Sequence, residues 1–138
     1  MGILEVTIKL LLATTNQGKT KEIQAYLSGF PVHIVSLLKM INKEIFHETG
    51  KTFLENAIGK SIFYSEKWKG LTLAEDSGLE IKHLEGSPGI LSARFSGPQS
   101  TDKKNTQKVL KLMKNVPREE RKARFVSCMV LSQKGKII

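Results

Sequence analysis

Strand-like and helix-like patterns alternate along almost the whole chain, and this alternation narrows the possible folds more than any other feature. Thr7–Ala13 reads Thr-Ile-Lys-Leu-Leu-Leu-Ala, a short apolar run of the buried-strand type. The polar turn Thr14–Gly18 follows, then a helix expected over about Lys19–Leu27 and a second strand at Val32–Leu37. After the polar loop His47–Lys51, Thr52-Phe53-Leu54-Glu55 forms a capping box. Its hydroxyl and carboxylate each satisfy a free backbone N–H, so a helix is expected to about Trp68. Leu71–Ala74 and Leu79–His83 read as strands on either side of a turn at Glu75–Gly78, and Glu85–Gly97, rich in Gly, Pro and Ser, reads as a structured loop. Asp102–Lys114 spaces Val109, Leu110 and Met113 as a helix with one buried side, which Pro117 ends. Ala123–Leu131 reads as an apolar strand. In the turn Ser132–Lys136, Gln133-Lys134-Gly135-Lys136 has hairpin character, and Ile137–Ile138 reads as the start of a return strand whose continuation is expected beyond the chain. The pattern predicts an α/β fold with a mixed sheet, in one domain over residues 1–138.

Composition narrows the classes further. An apolar content of 40% suffices for a core, and no apolar run approaches the ~18 residues of a membrane span. The opening residues carry Glu5 and neither a basic leader nor a small-residue cleavage site, so no signal peptide is expected. A single cysteine, Cys128, cannot form an internal disulfide and fits a cytoplasmic location. The formal charge of +9 would attract polyanions. Its short clusters, Lys103–Lys104 and Arg118–Arg124, lack interleaved aromatic residues to stack bases, so a solvated basic surface accounts for them better than nucleic-acid binding does.

Four segments can carry chemistry. Thr14-Thr15-Asn16-Gln17-Gly18-Lys19 lies between a strand and a helix, where free N–H groups, the helix dipole and a lysine suit an anion. It is not a P-loop: Ala13 stands five residues before Gly18, and Ile45 five before Gly50, where that motif needs glycine. Glu48, Glu55, Asn56 and Lys60 form a second set, with Asn56 and Lys60 on one helix face. There a lysine can hold phosphate while a carboxylate holds magnesium, although the capping box already explains Glu55. In Glu75-Asp76-Ser77-Gly78 an acidic pair leaves a strand, a place where α/β sheets put working groups; local turn hydrogen bonds are the alternative. Arg94, in the loop Gly86–Gly97, has a planar fork suited to phosphate, or is a surface arginine. His33, His47 and His83 show no metal-ligand spacing, Cys128 reads as a buried inert thiol, and Phe53, Ala57 and Trp68 read as core.

The order of these motifs is more informative than any one of them. Thr15-x-Asn-x-x-Lys19-x-x-Glu22, Glu48-Thr-Gly-x-Thr-Phe-x-Glu-Asn-Ala-x-x-Lys60, Glu75-Asp-Ser-Gly-Leu and Gly86-x-Pro-Gly-x-x-Ser-Ala-Arg94-Phe-Ser-Gly97 together resemble the inosine triphosphate pyrophosphatase family, of the HAM type. Arg124-Phe125 resembles a later strand of that family, and the resemblance runs from about Lys9 to Leu131. It implies a two-lobed α/β fold around a long curved mixed sheet, usually as a homodimer. It also implies magnesium-dependent hydrolysis of non-standard purine triphosphates such as ITP, dITP and XTP to a monophosphate and pyrophosphate. By position, Thr15, Asn16, Lys19 and Lys60 would hold phosphates, and Glu48 and Asp76 would bind magnesium. Asp76 would also be the general base, Ser77 would touch the substrate, and Arg94 would line the nucleotide cleft.

Two departures stand out. Glu75 replaces a frequent second aspartate. The family's later Gly-Phe-Gly-Tyr-Asp-like loop, lysine and base-gripping Ser-His-Arg motif do not occur in this sequence, which suggests a shortened form with impaired base selection. The alternatives are an inactive nucleotide- or RNA-binding remnant and a septum-formation-inhibitor-like (Maf-like) pyrophosphatase, the latter disfavoured by the Glu-Asn-Ala and Ser-Ala-Arg motifs.

Overall fold

The computed structural model describes residues 7–40 and 44–138, so the leader reading of the opening residues falls outside it. Among the described residues five strands and three α-helices follow one another as β1 (Ile8–Leu12), α1 (Gln17–Tyr26), β2 (Val32–Ser36), α2 (Phe53–Ser65), β3 (Leu71–Ile81), α3 (Asp102–Leu112), β4 (Ala123–Gln133) and β5 (Lys136–Ile137). The strands form one mixed sheet in the order β2-β1-β3-β4-β5. β1 runs parallel to β2 and to β3, with Leu10 opposite both Ile34 and Leu71, whereas β4 and β5 form the antiparallel hairpin expected from Lys134-Gly135. The α/β class with a mixed sheet is therefore borne out. No helix among the described residues is long and apolar enough to cross a membrane.

The chain divides into two compact units. The first takes its described residues from Gly50 and before, Leu54–Glu75 and Met129–Ile138; the second comprises Lys51–Phe53 and Asp76–Cys128. The chain passes from first to second between Gly50 and Lys51 and again inside β3, between Glu75 and Asp76.

In the first unit the Leu10–Leu12 part of β1 is buried on both faces, as is common for strands of a parallel sheet. Leu11 and Ala13 join Leu37, Tyr64 and Ala74 on one side, and Leu10 and Leu12 pack with Ile23 on the other. Helix α2 turns Ala57, Ser61 and Ser65 inward at one-turn spacing, all without exposed surface. Small residues let the helix approach closely, and their hydroxyls need partners once buried. Ser61 Oγ lies 3.1 Å from Val130 O and beside Ser132 Oγ, and Ser65 Oγ accepts the Gly135 N–H at 3.0 Å. The second unit has its own core, in which Ile81, Met113 and Val116 pack with Leu79, Leu84 and Val109.

Three expectations change. Glu75–Gly78 is not a turn: β3 runs unbroken from Leu71 to Ile81, burying Thr72, Ala74, Asp76 and Gly78 at alternate positions. Gly78 serves close approach instead, since a Cβ there would stand 2.5 Å from Gly89 O and 2.4 Å from Ser92 Oγ. Gly89–Arg94, expected as loop, is a stretch of 3₁₀-helix. Finally, β4 is not buried as its apolar composition suggests. Strand alternation sends Phe125 and Met129 outward, 74% and 55% exposed, and Cys128 is only half-buried.

Candidate active site

The first unit gathers four of the charged side chains singled out by sequence. The turn after β1 is held by its own polar groups. Thr14 Oγ1 accepts the Asn16 N–H at 3.1 Å, and Asn16 caps α1, its Oδ1 accepting the N–H groups of Gly18 at 2.8 Å and Lys19 at 3.3 Å. Those two amides are thus already satisfied, contrary to the expectation of free helix-terminal donors. With its oxygen engaged, Asn16 can offer an anion only its amide nitrogen. Thr15 is exposed on the same turn.

Lys19 and Lys60 both reach Glu75. Lys19 Nζ lies 3.6 Å from Glu75 Oε2, and Lys60 Nζ donates to Glu75 O at 3.1 Å. Lys60 is also ion-paired with Glu48. These side chains are only 12–26% exposed, so their Coulomb interactions are less screened than those of surface pairs. Two ammonium groups and two carboxylates offset one another formally, and all four can change partner when a polyanion and a cation arrive together. The Glu48 loop is fixed to α2 by Asn56, which is 1% exposed and accepts the Gly50 N–H at 2.8 Å. A side chain on Gly50 would collide with that carboxamide oxygen at 2.6 Å.

The second unit holds the remaining expected residues. Asp76 is buried at 7% exposure on β3, Ser77 faces the opposite way and is half-buried, and Arg94 is exposed at the end of the 3₁₀ stretch. The segment carrying Arg94 is held from two sides. Ser92 Oγ accepts the Leu79 N–H at 2.9 Å and donates to Gly89 O at 2.6 Å. Asn105, on α3, accepts from Ser96 N and Ser96 Oγ at 2.8 and 2.7 Å and donates to the carbonyls of Ser92 and Ala93, both at 3.1 Å.

Two residues to which sequence assigned no role of their own stand out in the structure, Glu75 from the acidic pair and Asn105, which sequence did not single out. Glu75 receives both lysines, and half of its role lies in a backbone carbonyl, which side-chain type does not reveal. Asn105 was legible in principle: it falls on the face of Val109 and Met113, and an amide on a buried helix face must be paired.

Each unit carries hard carboxylate oxygens of the kind magnesium takes, Glu48 and Glu75 in the first and Asp76 in the second. Among the described residues no three or more His, Cys, Asp or Glu side chains form a ready metal cluster. Magnesium commonly takes one or two carboxylates and completes its shell with water and phosphate oxygens.

Comparison with known proteins agrees with the motif order. The chain is 43% identical over 129 residues to a dITP/XTP pyrophosphatase of Thermoanaerobacter pseudethanolicus, covering 94% of this chain and 65% of that protein. It is 47% identical over 124 residues to a dITP/XTP pyrophosphatase of Photobacterium profundum, covering 89% and 62%. A HAM1 protein from Coxiella burnetii superposes with a TM-score of 0.82 at 30% identity, covering 95% of this chain and 68% of that one. The chain thus spans a little under two thirds of the length of the curated relatives it matches. With the family profile matched over residues 10–138, the chain belongs to the Ham1 family.

Proposed function

We propose that this chain carries the phosphate- and metal-handling part of a nucleoside triphosphate pyrophosphatase acting on non-standard purine nucleotides such as ITP, dITP and XTP, in one domain over residues 1–138. The observation that carries the reading is the convergence of Lys19 and Lys60 on Glu75, with Glu48 paired to Lys60. Relatives named for this reaction, at identities of 43% and 47%, support it.

In the proposed reaction water adds across the anhydride between the α and β phosphorus atoms, giving a nucleoside monophosphate and pyrophosphate. Lys19 and Lys60 exchange carboxylate partners for phosphate oxygens and offset the charge of the polyphosphate. Asn16 adds its amide N–H and Thr15 its hydroxyl. Asp76 accepts the proton of the attacking water, a role suited to a buried carboxylate. Ser77 and Arg94 contact the nucleotide. Glu48 and Asp76 would hold magnesium, which when bound lowers the pKa of water and neutralises phosphate charge. The reading includes a second copy of the chain as partner, on the family resemblance, and work in the cytoplasm, which the lone Cys128 suits.

Removing Lys60 tests the reading. Lys60→Met should raise KM for inosine triphosphate about 10- to 100-fold, the loss of one charge-assisted contact, while Lys60→Arg retains part of the affinity. An unchanged KM in Lys60→Met would mean that the lysine serves only its contacts with Glu48 and Glu75.

A further inference from the structure

We propose that Asn105 is a positioning residue for this reaction: its buried carboxamide fixes the Ser92–Ser96 segment and thereby sets where Arg94 meets the nucleotide. The inference rests on the function proposed above.

A primary carboxamide has two N–H donors and one oxygen with two lone pairs. Asn105 uses all of this capacity on one short segment. Its oxygen accepts the backbone N–H and the hydroxyl of Ser96, and its nitrogen donates to the carbonyls of Ser92 and Ala93. Arg94 lies between those anchors, so the backbone on both sides of it is tied to α3. The residue is 9% exposed, and an amide so placed has little water to fall back on if a partner is lost.

The network continues into β3. Ser92, held by Asn105 through its carbonyl, accepts the Leu79 N–H on its hydroxyl oxygen and donates its own O–H to Gly89 O. Leu79 is two residues beyond Ser77 and three beyond Asp76 on the same strand. Gly78 leaves room for this contact, because any side chain there would meet Ser92 Oγ. Asn105 therefore links, through hydrogen bonds inside one compact unit, the backbone beside Arg94 to the strand that carries Asp76 and Ser77. From the other flank Lys108, one turn along α3 by sequence, donates to Phe95 O at 2.7 Å, so the segment is gripped by two residues of one helix.

Neither a surface contact nor simple packing requires this arrangement. A leucine could fill an apolar site on the Val109–Met113 face, whereas four hydrogen bonds to one five-residue segment fix its path.

The test is a double-mutant cycle on the full chain. Asn105→Asp keeps the shape but loses both donors, and Ser96→Ala removes a single hydroxyl as a milder probe that should remain folded. Both should raise KM for inosine triphosphate, by about 5- to 20-fold and 2- to 5-fold respectively, with kcat changed less than twofold. In an Arg94→Ala background the same substitutions should add less than twofold, because their effect acts through Arg94. A purely structural residue would instead lower the melting temperature and act independently of Arg94.

Full additivity with Arg94→Ala, or an unchanged KM in both variants, would overturn the inference while leaving the pyrophosphatase reading intact, provided Asp76→Asn still abolishes turnover. Turnover that survives Asp76→Asn would overturn that reading, and this inference with it.

Discussion

Asn16 serves two needs with the two ends of one amide. Its oxygen closes the first turn of α1, and in the proposed reaction its nitrogen donates to a phosphate. Asn16→Asp separates the two. Aspartate caps a helix as well as asparagine and favours the positive end of the dipole, so unfolding free energy should change by less than about 0.5 kcal/mol. The same change replaces a donor with a negative charge beside a polyanion, and KM for the triphosphate should rise about tenfold or more. Denaturant melts and steady-state kinetics on one preparation check both halves, and an unchanged KM would reduce Asn16 to a cap alone. At this scale sequence is read best where function depends on charged side chains in fixed order. Lys19, Glu48, Lys60 and Asp76 are proposed on that ground, and the structure links the first three through Glu75. The part of Glu75 cannot be read that way, since Lys60 is bound by its carbonyl oxygen, a group every residue has.

Elements were legible to the extent that apolar periodicity controlled them. The β1–α1–β2 unit, α2, α3 and the closing hairpin lie within a few residues of their expected places. β3 departed from expectation because Glu-Asp-Ser-Gly carries the composition of a turn, while its neighbours Thr72 and Ala74 set a two-residue alternation that continues through it. In that register Asp76 and Gly78 point to one side and are buried, which places an acid inside the fold instead of on a loop tip. Gly78→Ala tests the register. The added methyl would meet Gly89 O and Ser92 Oγ well inside contact distance, so stability should fall by about 1–3 kcal/mol in denaturant unfolding. A neutral result would mean that the Gly89–Ser92 segment yields easily and that Gly78 does not control the approach. The apolar composition of β4 misled for a related reason. Alternation places Phe125 and Met129 on a face that the described chain leaves open, and composition alone does not say which strand face is covered.

For the whole molecule, charge and fold belong to one account. A net charge of +9 draws anions, and the first unit contains a pair of lysines, ion-paired with carboxylates, that the proposed function assigns to the polyphosphate. Membership of the Ham1 family and the names of its dITP/XTP pyrophosphatase relatives agree with that chemistry. The fold class and family could be read from motif order because the motifs cover nearly all of the chain. The particular partners of Asn105 and Asn56 could not, since they are backbone groups and a hydroxyl brought to each amide by the path of the neighbouring loop. The most direct test of the central claim is pyrophosphate release from inosine and xanthosine triphosphates with magnesium, with guanosine and adenosine triphosphates for comparison and Asp76→Asn as control. Release from the inosine and xanthosine nucleotides should need magnesium and disappear in Asp76→Asn. No release from the intact chain, or release that Asp76→Asn leaves unchanged, would contradict the claim.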